Sequence, residues 1–205
     1  VKGFTNNATG YHNLAAGALR PYGGTYSDRQ DATLLSGLFS ARYSIFNRYA
    51  LSVSVRADGS SLVGENHTWG LFPSVSGEWD VKHEAFLRGV DAVNRLKFRI
   101  GYGESGNLAG ISAYNAVRRM VPTNVVPVNG APVVTMSEAR NYNPDLRWET
   151  RGTFNVGAEA ALWDNRLILT VAYYHAVTRD MLYEYEVPVP PFVYNKLLAN
   201  NGTLS

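Results

Sequence analysis

An all-β, antiparallel fold is what this sequence predicts, and three observations predict it. Apolar and polar residues alternate with period two through six separate stretches. Each stretch runs to roughly eight to twelve residues, longer than the usual strand of a soluble sheet and close to what a tilted strand needs to cross a bilayer. The connections between the stretches alternate between tight and long, as they do in outer-membrane barrels.

Period two is the strand period, because successive side chains leave a strand on opposite faces. In the first stretch Gly37, Phe39, Ala41, Tyr43 and Ile45 alternate with Ser36, Ser40, Arg42 and Ser44. Phe46, Asn47 and Arg48 make a tight turn into the second, where Tyr49, Leu51, Val53 and Val55 oppose Ser52, Ser54 and Arg56. Asp58-Gly59 predicts a positive-φ exit into a longer connection, residues 57–68. The third stretch sets Leu71, Val75 and Trp79 against Phe72, Ser74, Ser76 and Glu78. Pro73 lacks a ladder donor and predicts a bulge or an unpaired site there. An intermediate connection, 81–94, leads to Leu96, Phe98, Ile100 and Tyr102 against Arg95, Lys97 and Arg99. Residues 107–146 form the longest connection. In the fifth stretch Gly152, Phe154, Val156, Ala158, Ala160 and Leu162 oppose Arg151, Thr153, Asn155 and Glu159. Asp164-Asn165 reads as a hairpin turn into Leu167, Leu169, Val171 and Tyr173, and residues 201–205 look like the opening of a seventh strand. Aromatics gather near the short-turn ends, at Tyr43, Phe46, Tyr49, Trp79 and Trp163, where an interfacial girdle belongs. The pattern by itself leaves two architectures open, a transmembrane barrel segment and a soluble antiparallel sandwich.

Composition narrows the function classes. Aromatics and glycine displace charge: 19 Gly, 13 Tyr, 8 Phe and 4 Trp stand beside 18% charged residues, against about 25% in an ordinary soluble domain. The net charge is +2 with the basic residues scattered, so a nucleic-acid footprint is absent. Without cysteine there is no disulfide scaffold, thiolate metal site or cysteine nucleophile. No run approaches the roughly 18 apolar residues of a spanning helix; the nearest, 187–194, is broken by prolines. The first methionine is Met120 and no charged-then-apolar leader precedes Gly3, which predicts an excised piece with any targeting signal upstream.

Five motifs, in order, carry a resemblance: NRYALSVSVRADGSS at 47–61, WGLFPSVS at 69–76, LKFRIGYG at 96–103 running into SGN at 105–107, NPDLRWET at 143–150, and DNRL at 164–167 leading to Tyr173-Tyr174. Together they resemble the SusC/RagA-type TonB-dependent outer-membrane transporters over roughly residues 34–182. The resemblance decides for the barrel. It implies an antiparallel transmembrane β-barrel segment of about six spanning strands plus the start of another, an open curved sheet within a barrel of about 22 strands. Residues 1–205 would then be part of one barrel domain, with the plug domain and TonB box outside them. It also implies energy-coupled import of oligosaccharides or peptides, a SusD-like surface lipoprotein over the mouth, TonB contacting the absent N-terminal region, and no bond chemistry. A soluble carbohydrate-binding β-sandwich and a passive porin are the competing functional readings.

On that reading the polar strand faces line a lumen, with Arg56, Glu78, Arg99, Asn155 and Glu159 as candidates, and the apolar faces meet lipid. The 107–146 loop offers Tyr114, Arg118, Arg119, Arg140 and Tyr142 to substrate or partner. Other motifs point nowhere further. Gly101 to Gly106 fits G-x-G-x-x-G, yet no acid follows at the spacing a dinucleotide fold requires. His12, His67, His83 and His175 are too dispersed for a ligand pair, and Ser105 is not in a G-x-S-x-G elbow. Glu78, Glu104 and Glu159 are more simply wall residues than a glycosidase pair. No cofactor, metal or catalytic residue is expected.

Overall fold

The structure is a computed structural model that describes residues 2–4, 6–7, 10–18 and 26–205. Its main element is a seven-stranded antiparallel sheet in the order β1-β2-β3-β4-β7-β8-β11. The strands are β1 (Leu34–Ile45), β2 (Tyr49–Ser60), β3 (Trp69–Asp80), β4 (Val93–Asn107), β7 (Glu149–Leu162), β8 (Leu167–Arg179) and the two-residue β11 (Thr203–Leu204). Two further hairpins, β5 (Met120–Val128) with β6 (Ala131–Glu138) and β9 (Leu182–Glu186) with β10 (Lys196–Asn200), stand in the long connections. The seventh strand pairs where expected, Thr203 opposite Arg179. Among the described residues no helix is long and apolar enough to cross a membrane.

The register assembles the alternating residues into continuous rows. Tyr43, Leu51, Gly77, Ile100, Val156 and Tyr173 make one apolar row, and Ala41, Val53, Val75, Tyr102 and Phe154 the next. These residues remain exposed although apolar: Leu51 is 51% and Val171 70% accessible. Among the described residues no second sheet covers them, whereas a sandwich packs its inner faces. Trp69 and Trp79 end the apolar face of β3. At about 3.3 Å per residue and a tilt of about 40°, their separation spans about 25 Å, the height of an outer-membrane barrel's apolar band. At the tight-turn end Ile45, Tyr49, Trp79 and Phe98 form one row. Their rings lie 6.5 Å apart between Tyr49 and Trp79 and 6.0 Å between Trp79 and Phe98.

The tight turns follow their residues: Phe46 and Asn47 in the three-residue turn 46–48, and Trp163, Asp164 and Asn165 in the four-residue turn 163–166, take positive φ. One expectation changes. Asp58-Gly59 is not an exit, since β2 continues to Ser60 and Gly59 is extended; a Cβ there would meet the Trp69 indole at 3.0 Å, so the position is kept small by a neighbouring ring. Pro73 is unpaired on one side, as expected: it pairs with Val55 of β2 without a bulge, but the ladder to β4 ends at Ser74. The bulge falls instead between Val93 and Arg95. The 107–146 connection holds a hairpin of its own, β5 with β6.

The buried core sits at the long-loop end, built from Val63, Phe72, Ile111, Ala116, Leu146 and Trp148. Phe72 meets Trp148 edge to face at 5.5 Å and lies over Gly106, where a Cβ would come within 2.1 Å of its ring. Gly101 to Gly106 is therefore strand with close neighbours, with no helix after it. Gly64 donates to the Leu146 carbonyl at 2.6 Å, and a Cβ on it would lie 1.8 Å from the Pro144 oxygen. Only glycine lets these two loops meet.

Candidate functional site: polar face and mouth

All five strand candidates share the polar face. Glu78, in the row with Ala50 and Arg99, accepts from Arg42 at 3.2 Å and from Lys97 at 3.0 Å. Lys97 also reaches Asp80 at 3.6 Å. Glu159 accepts from Arg95 at 2.5 Å, with Arg99 3.9 Å away. Asn155 lies opposite Gly101, where a Cβ would come 3.2 Å from its amide oxygen. The fold thus sets Glu78 and, in a second cluster, Arg99 with Glu159 along one band of charge toward the tight-turn end. Arg42, Arg95, Lys97 and Asp80 belong to it as well; alternation had placed the three basic residues on this face without marking them as partners. Arg56 stands nearer the mouth, its guanidinium 2.6 Å from Asp58. Asp58 is 1% exposed, and its second oxygen has no partner. Apart from that buried carboxylate, the pairs on this face are partly exposed and contribute little stability; what they supply is fixed, hydrated charge.

The loop candidates form a separate set. Arg119 pairs with Asp28 across the fold and covers the Tyr114 ring at 5.4 Å, while the Asp31 amide donates to the Tyr114 hydroxyl at 3.1 Å. The hydrogen bond from Arg119 holds the Asp28 carboxyl below the usual carboxylate range. Arg118 binds Glu138 at 2.6 Å, and Arg140 donates to the Asn115 side-chain oxygen. Tyr142 stays apart, between two asparagines that fasten the loop. The Asn141 amide donates to the Tyr194 and Lys196 carbonyls at 2.5 and 2.8 Å, and that of Asn143 to Leu198 at 3.0 Å. Arg147 adds a 2.6 Å pair to Asp180. The NPDLRW motif is thus a clasp between the 141–148 segment and the β9–β10 region, and Trp148 braces the loop core. Spacing could not show this, because the partners lie some fifty residues downstream. Among the described residues no group of three or more His, Cys, Asp or Glu converges on a metal-sized site.

At the opposite end Glu84, in the turn after β3, anchors the aromatic row. It accepts from the Tyr49 hydroxyl at 2.6 Å, the Trp79 indole at 3.2 Å and Arg48 at 3.0 Å. The Tyr49 hydrogen bond first, then those of Trp79 and Arg48, hold its carboxyl below the ordinary glutamate range. A depressed carboxylate stabilises the fold above its unfolded pKa, and that contribution is lost as pH falls through the depressed value. Trp79 should therefore become more accessible to acrylamide only below the ordinary glutamate range, and Glu84→Ala should produce the same accessibility at neutral pH. The difference in quenching between the full-length protein and its Trp79→Phe variant measures this; a Glu84→Ala protein indistinguishable from wild type at neutral pH would show that the anchor is idle.

The comparisons agree with this geometry. The family model described as TonB dependent receptor-like, beta-barrel matches residues 2–203. TonB-dependent receptor P26 of Formosa agariphila is 30% identical over 204 residues, 98% of this chain and 20% of that protein. TonB-dependent receptor SusC of Bacteroides thetaiotaomicron is 30% identical over 174 residues, 84% of this chain and 17% of that one. The RagAB peptide importer in its open-open state superposes with a TM-score of 0.74 at 29% identity, over 84% of this chain and 18% of that chain. The chain spans about a fifth of the length of the curated relatives it matches. A sheet with an exposed apolar band, an aromatic row at its tight-turn end and a charged opposite face, matched over nearly its whole length, places the chain in the TonB-dependent receptor β-barrel family of the outer membrane, SusC/RagA type.

Proposed function

We propose that this chain forms part of the wall and outer mouth of an importer that carries oligosaccharides or peptides across the outer membrane on energy delivered through TonB. A SusD-like surface lipoprotein closes over the mouth. The observation that carries the reading is the two-faced sheet: one face is apolar to about the height of a bilayer core, and the other is lined by Arg42, Glu78, Lys97, Arg99, Asn155 and Glu159. A polar lumen behind a lipid-facing wall is what passage of a hydrophilic solute requires. Support for TonB-energised import comes from SusC, a TonB-dependent receptor, and for a peptide solute from RagAB, described as a peptide importer; both match the chain over most of its length.

Two measurements on the full-length protein test it. Single cysteines at Ser52 or Ser54 should react with a membrane-impermeant thiol reagent, and those at Leu51, Val53 or Leu169 should not; equal reactivity in both sets rejects the face assignment. Uptake of labelled oligosaccharides and peptides should stop when the proton-motive force is collapsed, whereas uptake that continues would indicate a passive porin.

A further inference from the structure

Beside the base of the β5–β6 hairpin, the 26–31 segment and the short 3-10 helix Gly10–Ala16 enclose a cleft of about 420 Å³. Besides Ser27, its polar lining is Asn13, Tyr26, Asp28, Gln30, Arg119 and Arg140. These side chains come from three separated stretches, and each stretch is pinned. The Ser27 hydroxyl donates to the Tyr11 carbonyl at 2.6 Å and accepts from the Leu14 amide at 3.0 Å, which fixes the helix. Asp28 with Arg119, and Asp31 with Tyr114, fix the 26–31 segment. The Ala139 amide donates to the Arg119 carbonyl at 2.9 Å and closes the hairpin base. The walls are therefore set before any ligand arrives, which lowers the ordering cost of binding.

The lining has a definite chemistry. Amide, carboxylate and guanidinium groups are planar, offer two hydrogen-bonding atoms side by side, and so match vicinal hydroxyls. Tyr26 is 75% exposed, leaving an open aromatic face for the C–H face of a sugar ring. The charges do not cancel. Arg119 is neutralised by Asp28, but Arg140 has only the neutral Asn115 oxygen and no ion pair among the described residues. The cleft therefore carries one cation in want of an anion. Peptides are less well served, because the cleft lining offers no side-chain pocket larger than Ala15, Val121, Pro122 and Ala139 supply.

We propose that this cleft is a binding subsite for an acidic oligosaccharide, with the ring stacked on Tyr26, hydroxyls on Asn13, Asp28 and Gln30, and a carboxylate or sulfate on Arg140. This deepens the import reading above and rests on it. The test is binding of the detergent-solubilised full-length protein to an array of uronate- and sulfate-bearing oligosaccharides, their neutral counterparts, and acidic peptides. Acidic glycans should be held about tenfold more tightly than neutral ones, as one charge-assisted hydrogen-bonded contact provides. Arg140→Gln should abolish that preference, Arg140→Lys should keep part of it, and Tyr26→Ala should weaken every glycan. Were Arg140→Gln to lower membrane abundance, Tyr26→Ala would decide alone, since its exposed ring supports no packing. Equal affinity for neutral glycans, no acidic glycan bound, unchanged binding in both variants, or acidic peptides held through Arg140 and Tyr26 would each overturn the proposal. If TonB-dependent uptake of another oligosaccharide or peptide persisted in that case, only the subsite would fall; absence of any uptake would remove the import reading itself.

Discussion

Val75→Arg is expected to strip the full-length protein from the outer membrane, while Ser54→Arg, on the facing strand, leaves its abundance near normal. Val75 lies midway between Trp69 and Trp79 on the apolar face of β3, in the row with Ala41, Val53, Tyr102 and Phe154. A guanidinium at that depth must be carried into hydrocarbon, which costs about 2–4 kcal/mol at the midplane of a barrel. That is a large part of an ordinary folding free energy. Ser54 belongs to the opposite row, where its hydroxyl is 2.7 Å from that of Ser74 and a Gly at 103 leaves room above. An arginine there extends into water and joins a face that already holds several. Membrane abundance and the heating needed to unfold the barrel on a gel report both outcomes. Equal loss from the two variants would mean that the apolar rows are not the lipid-facing surface.

Excising residues 121–134 is expected to leave membrane abundance close to wild type and to reduce uptake or retention of the lipoprotein several-fold. The excision removes most of the β5–β6 hairpin, which pairs with itself and with none of the strands of the seven-stranded sheet. The loop core, including Ile111, Ala116, Leu146 and Trp148, lies on either side of the cut. The bond from Ala139 to Arg119 also lies outside it. Shortening a loop changes its closure entropy only slightly. What is lost is surface: Val125, Val126, Val128 and Val133 are all exposed on the hairpin, an apolar set that has no reason to face water unless something covers it. Loss of the protein from the membrane would make the hairpin structural, and unimpaired uptake would remove it from the mouth.

How much of this was legible in the residues depends on how local the cause is. Period-two alternation is a property of consecutive residues, so the faces of β1 to β4, β7 and β8 could be read directly. The hairpin turns at Asn47 and Asp164-Asn165 could be read as well, since their φ values are set by the turn residues themselves. The β5–β6 hairpin was also signalled, by Asn129-Gly130 between valines, where both residues take positive φ. Pro122, Pro127 and Pro132 hid it by making the segment look like a loop. Gly59 and Gly64 are a different matter. Their smallness was visible, but whether a glycine serves a positive φ or a close approach depends on what stands opposite, here the Trp69 ring and the Pro144 oxygen. The sharing of Glu78 between Arg42 and Lys97, the burial of Asp58, and the asparagine clasps to β10 likewise exist only once strands or loops far apart in the chain lie side by side. By itself the sequence determined the strands, their two faces and their tight turns, because these follow from residue-by-residue geometry. The tertiary structure decided the charge pairings, the loop core and the cleft beside the β5–β6 hairpin, because each is a contact between segments that no local pattern brings together.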